Sequence, residues 1–92
     1  MSTAQAQLQW EKSALTKFNN MIVRIPLFHR EIAKQVVQKK AQQNALERNA
    51  NAVEESDIVR AFFSEVPATF YSLMIRLLDE AGFDYISYKS KN

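Results

Sequence analysis

The chain has 92 residues, a formal net charge of +2, one glycine and no cysteine. Its length fits a single small domain, and a composition of 47% hydrophobic and 24% charged residues is that of a globular protein. The missing cysteines exclude disulfides, thiolate nucleophiles and sulfur-ligated zinc or iron–sulfur sites, and a single glycine excludes a phosphate-binding loop of the Walker or dinucleotide kind.

Nothing in the sequence indicates export or a membrane span. The first ten residues lack the basic patch and apolar run of a secretory signal. The apolar stretch near the carboxyl end is interrupted by Arg76, well short of the ~20 residues that cross a bilayer. The absence of cysteine agrees with a reducing compartment, so we expect a cytoplasmic protein without a membrane span.

We predict one helical domain over 1–92, with disorder at 1–8, which offers no helix cap or strong apolar face, and at 87–92, where the chain ends in a polar run. The first helix is predicted over 10–22, and Glu11 lies favourably at its positively polarised start. Its apolar stripe follows helical spacing and consists of Trp10, Ala14, Phe18 and Ile22.

The longest element is a helix predicted over 25–48, which Pro26 begins and no further proline or glycine interrupts. At ~1.5 Å per residue it is roughly 33 Å long, so we expect the shorter elements to pack against it. Three- and four-residue spacing predicts one buried face, formed by Phe28, Ile32, Ala33, Val36, Val37, Ala41 and Ala45. If that face is buried, Ile32→Ala costs roughly 2–5 kcal/mol.

The segment 49–52 is a predicted connector, because its asparagines tolerate the left-handed conformation found at helix ends. Val53 is predicted to be a single extended residue. A short helix follows over 55–64, and the acidic residues at its start suit the helix dipole, namely Glu54, Glu55 and Asp57.

The last helix is predicted over 67–81, from Pro67 to the residue before Gly82. It is apolar nearly all round, which indicates a surface covered by a second copy or another protein. The fold class is therefore all-α, with four helices around one long central helix. The apolar candidates for interaction with a partner are Phe70, Tyr71, Met74, Ile75, Leu78 and, in the tail, Tyr85.

Charge is unevenly distributed along the chain. Residues 24–48 carry six basic and two acidic residues, and residues 53–80 carry six acidic and two basic ones. The two halves are predicted to complement each other within or between chains, and the basic half could also meet an anionic partner. The basic candidates are Arg24, Arg30, Lys34, Lys39 and Lys40.

Arg30 is the best polar candidate, because an arginine at a helix start can clamp a carboxylate or phosphate. An ordinary ion pair with an acid of the second half is the simpler interpretation. His29 is the only histidine and lacks the spacing of metal ligands, and no serine lies in a nucleophile-elbow context. We therefore expect no metal, no cofactor and no enzymatic activity.

The order of a short helix, a long helix, an isolated valine and a short helix resembles the histone fold. The run from Val53 to Ala61 is similar to the second loop and third helix of that fold. The resemblance implies that the β-branched residue pairs across a dimer, and that such a dimer binds DNA. The helix over 67–81 and the modest charge depart from it.

A longer stretch, about 10–62, resembles the small carboxyl-terminal domain of the B subunit of light-independent protochlorophyllide reductase. The matching positions, in order, are Trp10 and Ala14, then Ile25-Pro26-Leu27-Phe28-His29-Arg30, then Val53 and Asp57-Ile58. The resemblance implies a helical accessory module of tetrapyrrole-reducing, nitrogenase-like enzymes in photosynthetic organisms. It transfers no catalytic residues, because those lie in domains that this sequence does not contain.

From the sequence we expect a non-catalytic protein-interaction module of a photosynthesis or chlorophyll-synthesis complex, bound to a larger protein or to a second copy. A histone-like DNA-binding dimer is the alternative. Binding of a pigment between the helices is a third possibility, but core packing explains the Phe and Tyr content more simply.

Overall fold

The computed structural model describes residues 8–89. The elements in chain order are β1 (Gln9–Trp10), α1 (Lys12–Ile22), α2 (Leu27–Glu47), β2 (Ala52–Val53), α3 (Glu55–Glu65), a 3-10 turn (Ala68–Phe70), α4 (Tyr71–Ala81) and α5 (Tyr85–Lys89). The all-α fold class is confirmed. The described part has five α-helices where the sequence predicted four, because a short helix forms in the tail.

The long helix α2 is continuous, as predicted, and Pro26 precedes its first residue. Its inner face consists of Val37, Ala41 and Ala45, which are fully buried. These small side chains let α3 approach α2 closely, and the two helices pack against each other more extensively than any other pair. α2 is therefore the central element of the domain.

The predicted burial of Phe28, Ile32 and Val36 is wrong: their exposed fractions are 92%, 74% and 42%. Phe28 and Val37 are nine residues apart, which is about two and a half helical turns, so they face opposite sides of α2. The three- and four-residue spacing in the sequence combines residues from two different faces of α2. The large side chains lie on the outer face, and the alanines lie on the inner face.

The core forms where α1 and α3 meet the inner face of α2 and α4 packs against α1 and α3. Phe18 lies between Trp10 and Phe62, with ring centroids 5.1 and 6.3 Å away. Ile58 and Leu78 are fully buried in the same cluster. The predicted stripe of α1 is thus confirmed at Ala14, Phe18 and Ile22, which are all buried.

Strands β1 and β2 form a parallel pair in which Trp10 lies opposite Val53. The amide of Glu11 extends the pair by donating to the Val53 carbonyl at 2.9 Å. The extended conformation predicted for Val53 is confirmed. The histone resemblance implied pairing across a dimer, whereas Val53 here pairs within its own chain.

Two left-handed residues end helices where the sequence predicted them. Asn49 follows the end of α2 with φ 60°, and Gly82 follows α4 with φ 96°. In each case the next amide reaches back five residues: Ala50 donates to Ala45, and Phe83 donates to Leu78, both at 2.9 Å. Such bonds satisfy carbonyls that have no partner within the helix.

The ends of the predicted elements need four corrections. Trp10, predicted to begin the first helix, lies in β1, and α1 begins at Lys12. The last helix is split into a 3-10 turn and α4. Leu8, within the segment predicted to be disordered, donates its amide to Gln42 Oε1 at 3.3 Å. Residues 87–89 belong to α5 and are helical. The disorder predicted for 1–7 and 90–92 lies outside the described residues.

Across residues 8–89, no single helix combines the length and hydropathy needed to cross a membrane; α3 and residues 68–81 meet the test only as a pair bent by 118°.

Candidate functional site: an apolar groove beside the long helix

An apolar groove of about 460 Å³ lies between the amino-terminal half of α2 and the segment that joins α3 to α4. On the α2 side its wall includes Phe28, Ile32 and Val36. On the other side the wall includes Val66, Pro67, Phe70 and Leu73. Its buried lining residues are Met21, Ile25, Val37, Phe62, Met74 and Leu77.

The groove is open because α3 covers only part of α2. α2 has 21 residues and α3 has 11, so α3 reaches along about half of α2 at ~1.5 Å per residue. The side chains of Asn44 in α2 and of Arg48, which follows α2, bond to Asp57, and this fixes the start of α3 beside the carboxyl-terminal half of α2. Pro67 then prevents α3 from continuing, since it has no amide hydrogen and forces Val66 into an extended conformation.

The rim of the groove carries large apolar side chains in water. Phe28 is 92% exposed, Ile32 is 74% exposed and Phe70 is 50% exposed. Scattered apolar residues are common on protein surfaces, but several of them around one concave site mark a docking or ligand surface. Within the described lining, only His29 and Glu65 carry a titratable side chain.

The candidates on the last helix divide between the groove and the core. Phe70 and Met74 line the groove. Leu78 is fully buried in the core, so its prediction as an interaction residue is wrong. α4 looked too apolar for one small domain because α1, α3 and α5 all pack against it.

The aromatic candidates Tyr71 and Tyr85 are half-buried, as is Ile75. The Tyr71 hydroxyl donates to the Phe63 carbonyl at 2.6 Å, and its ring meets Phe63 edge-on at 5.3 Å. Tyr85 packs against the core. Tyr71 and Tyr85 therefore hold the carboxyl-terminal helices in place, and neither they nor Ile75 line the groove.

Arg30 binds within its own chain. Its guanidinium donates to the carbonyls of Ile25, at 3.0 and 3.1 Å, and of Val23, at 2.9 Å. The predicted ion pair with an acid of the second half is therefore wrong for Arg30. It is Arg24 that makes such a pair, with Glu80 at 3.5 Å.

The three lysine candidates do not share one face of α2. Lys34 and Lys39 are five residues apart, which places them about 140° apart around the helix, and Lys40 lies a further ~100° from Lys39. Lys39 is exposed, while Lys34 and Lys40 are half-buried. The basic residues of the sequence thus form no continuous row along the described surface of α2.

An ion pair that the sequence interpretation missed joins the end of α2 to the start of α3. Arg48 donates to both carboxylate oxygens of Asp57, from Nε at 2.8 Å and from Nη2 at 2.7 Å. Asp57 is completely buried, and its Oδ2 also accepts the Glu54 amide at 2.9 Å. The hydrogen bond to Asp57 raises the pKa of Arg48, against the opposing effect of burial.

Asp57 also helps to cap α3, because its carboxylate accepts the amide of the N-cap residue Glu54. The sequence signal for this ion pair is an arginine at the end of one predicted helix and an acidic residue in the first turn of the next. Sequence alone does not say that the connector folds them together.

A protein-family model matches residues 2–91, nearly the whole chain. The chain belongs to the DUF2621 family, described as a protein of unknown function. No match was found to a curated protein or to a solved structure. Membership in DUF2621 brings no activity, substrate or partner to the chain, so the site has to be interpreted from its own geometry.

For this DUF2621 chain the groove offers a surface for apolar contact. Nothing within residues 8–89 brings together three His, Cys, Asp or Glu side chains that could hold a metal ion. The groove lining combines apolar walls with a histidine and a glutamate at separate points. Such a lining favours the burial of apolar side chains from a partner.

Proposed function

We propose that the chain is a non-catalytic protein-interaction module that receives an amphipathic helix of a larger protein in the apolar groove. One observation carries the proposal: Phe28 and Ile32, the largest apolar residues on the outer face of α2, stand in water at the rim of that groove. Fully burying such a side chain contributes about 1.5–3 kcal/mol, before the cost of association is subtracted.

The spacing of the wall favours a helix as the occupant. Phe28, Ile32 and Val36 follow one another at four-residue intervals, so they project at steps of about 6 Å along α2. A partner helix with apolar residues at three- and four-residue spacing matches these steps. Helices bind apolar grooves in this way in many complexes.

A separate protein suits the groove better than a second copy does. The apolar faces of α1, α3 and α4 are buried in the chain's own core. The outer face of α2 is apolar at Phe28, Ile32 and Val36 and then continues with Lys39 and Gln43. A second copy that offered this short stretch would leave the Leu73 and Met74 side of the groove without a partner.

The resemblance to the protochlorophyllide reductase domain suggests the kind of larger protein to test first. That domain accompanies large tetrapyrrole-reducing subunits, so we propose a partner of this class, in a photosynthetic or chlorophyll-synthesis complex in the cytoplasm. This part of the proposal rests on the resemblance alone.

The alternative, a histone-like dimer on DNA, has less support. Phosphate binding requires several cations on one surface, while Arg24 and Arg30 are engaged within the chain and the lysines are spread around α2. DNA binding by a histone-like dimer stays a prediction. A DNA mobility shift at low salt tests it, because phosphate-driven binding strengthens there, and absence of retardation excludes it.

The docking proposal is tested by photo-crosslinking from the groove. Benzoylphenylalanine is placed at Ile32 in one chain and at Leu46 in another, since Leu46 is also an exposed apolar residue of α2 but lies outside the groove. We expect a crosslink to a larger protein from position 32 and not from position 46, with the crosslinked peptide lying in an amphipathic helix.

The crosslinked helix is then synthesised and titrated against the purified chain. Ile32→Asp should weaken binding at least about tenfold, because a charge would be buried without a partner, whereas Leu46→Asp should leave it unchanged. Crosslinks to the same chain alone would identify a homodimer and overturn the proposal. Equal weakening by both variants would show that the helix does not bind in the groove.

A further inference from the structure

A second concave site lies along the carboxyl-terminal half of α2, where α3 packs beside it. This cleft has a volume of about 620 Å³ and shares no lining residue with the groove. Its lining is mostly polar and includes Lys40 and Arg48 from the end of α2 and Arg60 and Ser64 from α3. We call it the basic cleft.

The basic cleft collects three cations, of which the described residues neutralise Arg48 alone, through Asp57 at 2.7 Å and Glu54 at 3.6 Å. Lys40, Arg48 and Arg60 line it together with a single acid, Glu47. Within residues 8–89, Lys40 and Arg60 make no ion pair, whereas Arg24 and Arg48 do. Like charges held close together repel each other, and a bound anion removes that repulsion.

Arg48 is fixed in the cleft by the buried carboxylate behind it. Asp57 accepts hydrogen bonds from Nε and Nη2, so the guanidinium plane cannot turn freely. Nη1 makes no hydrogen bond to residues 8–89, and the side chain remains about one-third exposed, at 35%. A guanidinium held in this way needs little further ordering to bind an oxyanion.

We propose that the basic cleft binds a phosphate-bearing anion of about diphosphate size through Lys40, Arg48 and Arg60. Lys40 and Arg48 are eight residues apart on α2, about 12 Å along the helix, and α3 supplies Arg60 from the other wall. Two linked phosphates can contact more of these cations than one phosphate can. The acid Glu47 weakens binding of any anion, which favours ligands of higher charge.

The test is a titration of the full chain with inorganic pyrophosphate and with inorganic phosphate, followed by amide chemical shifts at constant ionic strength. We expect saturable shifts around the carboxyl end of α2 and the middle of α3, with pyrophosphate bound more tightly than phosphate. Lys40→Gln and Arg60→Gln should each weaken pyrophosphate binding about tenfold, as expected for loss of a charge-assisted bond.

Two matched variants separate a site from general attraction. Lys39→Gln removes the same charge from the neighbouring residue, which is exposed and outside the cleft, and should change the affinity less than about twofold. Glu47→Gln should tighten binding. Thermal melts of each variant confirm that the fold is retained.

Shifts that do not saturate, or equal weakening by Lys39→Gln and Lys40→Gln, would overturn the proposal, since either result means diffuse screening of a basic surface. Tighter binding of phosphate than of pyrophosphate would contradict the proposed ligand size. The outcome of this titration does not depend on the docking proposal for the groove, because the groove and the basic cleft share no lining residue.

Discussion

Arg48 and Asp57, nine residues apart in the chain, lie side by side with two hydrogen bonds of 2.8 and 2.7 Å between guanidinium and carboxylate. Asp57 is completely buried and Arg48 is about one-third exposed. The pair fixes the turn from α2 into α3, and it therefore supports one wall of the basic cleft and the position of α3 that leaves the groove open.

Removing the arginine from this pair should destabilise the fold. Arg48→Ala leaves a buried carboxylate without its cation, and we expect a loss of about 2–3 kcal/mol, below the usual figure for a fully buried pair because Arg48 still reaches solvent. Urea denaturation measures the change. The control is Arg24→Ala, which breaks the exposed pair with Glu80 and should cost less than about 1 kcal/mol. Equal losses would mean that burial of Asp57 is not the cause.

The contribution of Arg48 should not depend on pH in the neutral to alkaline range. The hydrogen bond to Asp57 raises the pKa of Arg48 above its ordinary value. A group with a raised pKa in the folded state stabilises the fold fully below its unfolded pKa, and the stabilisation is lost only as pH rises through the folded value. The stability difference between wild type and Arg48→Ala should thus be the same at pH about 7 and about 10. A difference that shrinks over this interval would contradict the assignment.

The same substitution on two helices should distinguish the outer face of α2 from the core. Ile58 is fully buried and Ile32 is 74% exposed. Ile58→Ala should cost roughly 2–5 kcal/mol, whereas Ile32→Ala should change stability by less than ~0.5 kcal/mol. Thermal or urea unfolding measures both. A large loss for Ile32→Ala would restore the buried face that the sequence predicted.

Gly82 should resist replacement for a backbone reason. Its φ is 96°, and an added Cβ would meet only the Lys17 side chain at an ordinary 3.6 Å. Gly82→Ala should therefore cost about 1–2 kcal/mol through the left-handed backbone and not through a clash. The matched variant is Asn49→Gly. Asn49 has φ 60°, so glycine relieves the same backbone strain there. In thermal unfolding this variant should be neutral or slightly stabilising. A loss for Asn49→Gly would show that the Asn49 side chain matters more than its backbone.

The order of elements could be predicted from the sequence because local signals mark it. Pro26 and Pro67 precede helical segments, Asn49 and Gly82 follow helices, and Val53 is extended. Each of these signals depends on a few neighbouring residues, so no knowledge of the packing is needed.

The buried face of α2 could not be predicted in the same way. Both the Phe28 stripe and the Ala41 stripe have helical spacing, and large apolar residues usually outweigh alanine in a choice of core. Close packing with α3 buries the alanine face of α2. Which face packs against α3 depends on where α3 lies in the fold. For the same reason the sequence did not reveal that Phe28 and Phe70 line one groove, or that Lys40 and Arg60 line one cleft.

The alanine-rich inner side of α2 separates folding from recognition. Methyl groups such as those of Ala41 and Ala45 hold the helix pair together, while the bulky residues of the same helix contribute little to that pairing. Selection can therefore exchange the bulky residues, and with them the choice of binding protein, without first finding compensating changes in the interior.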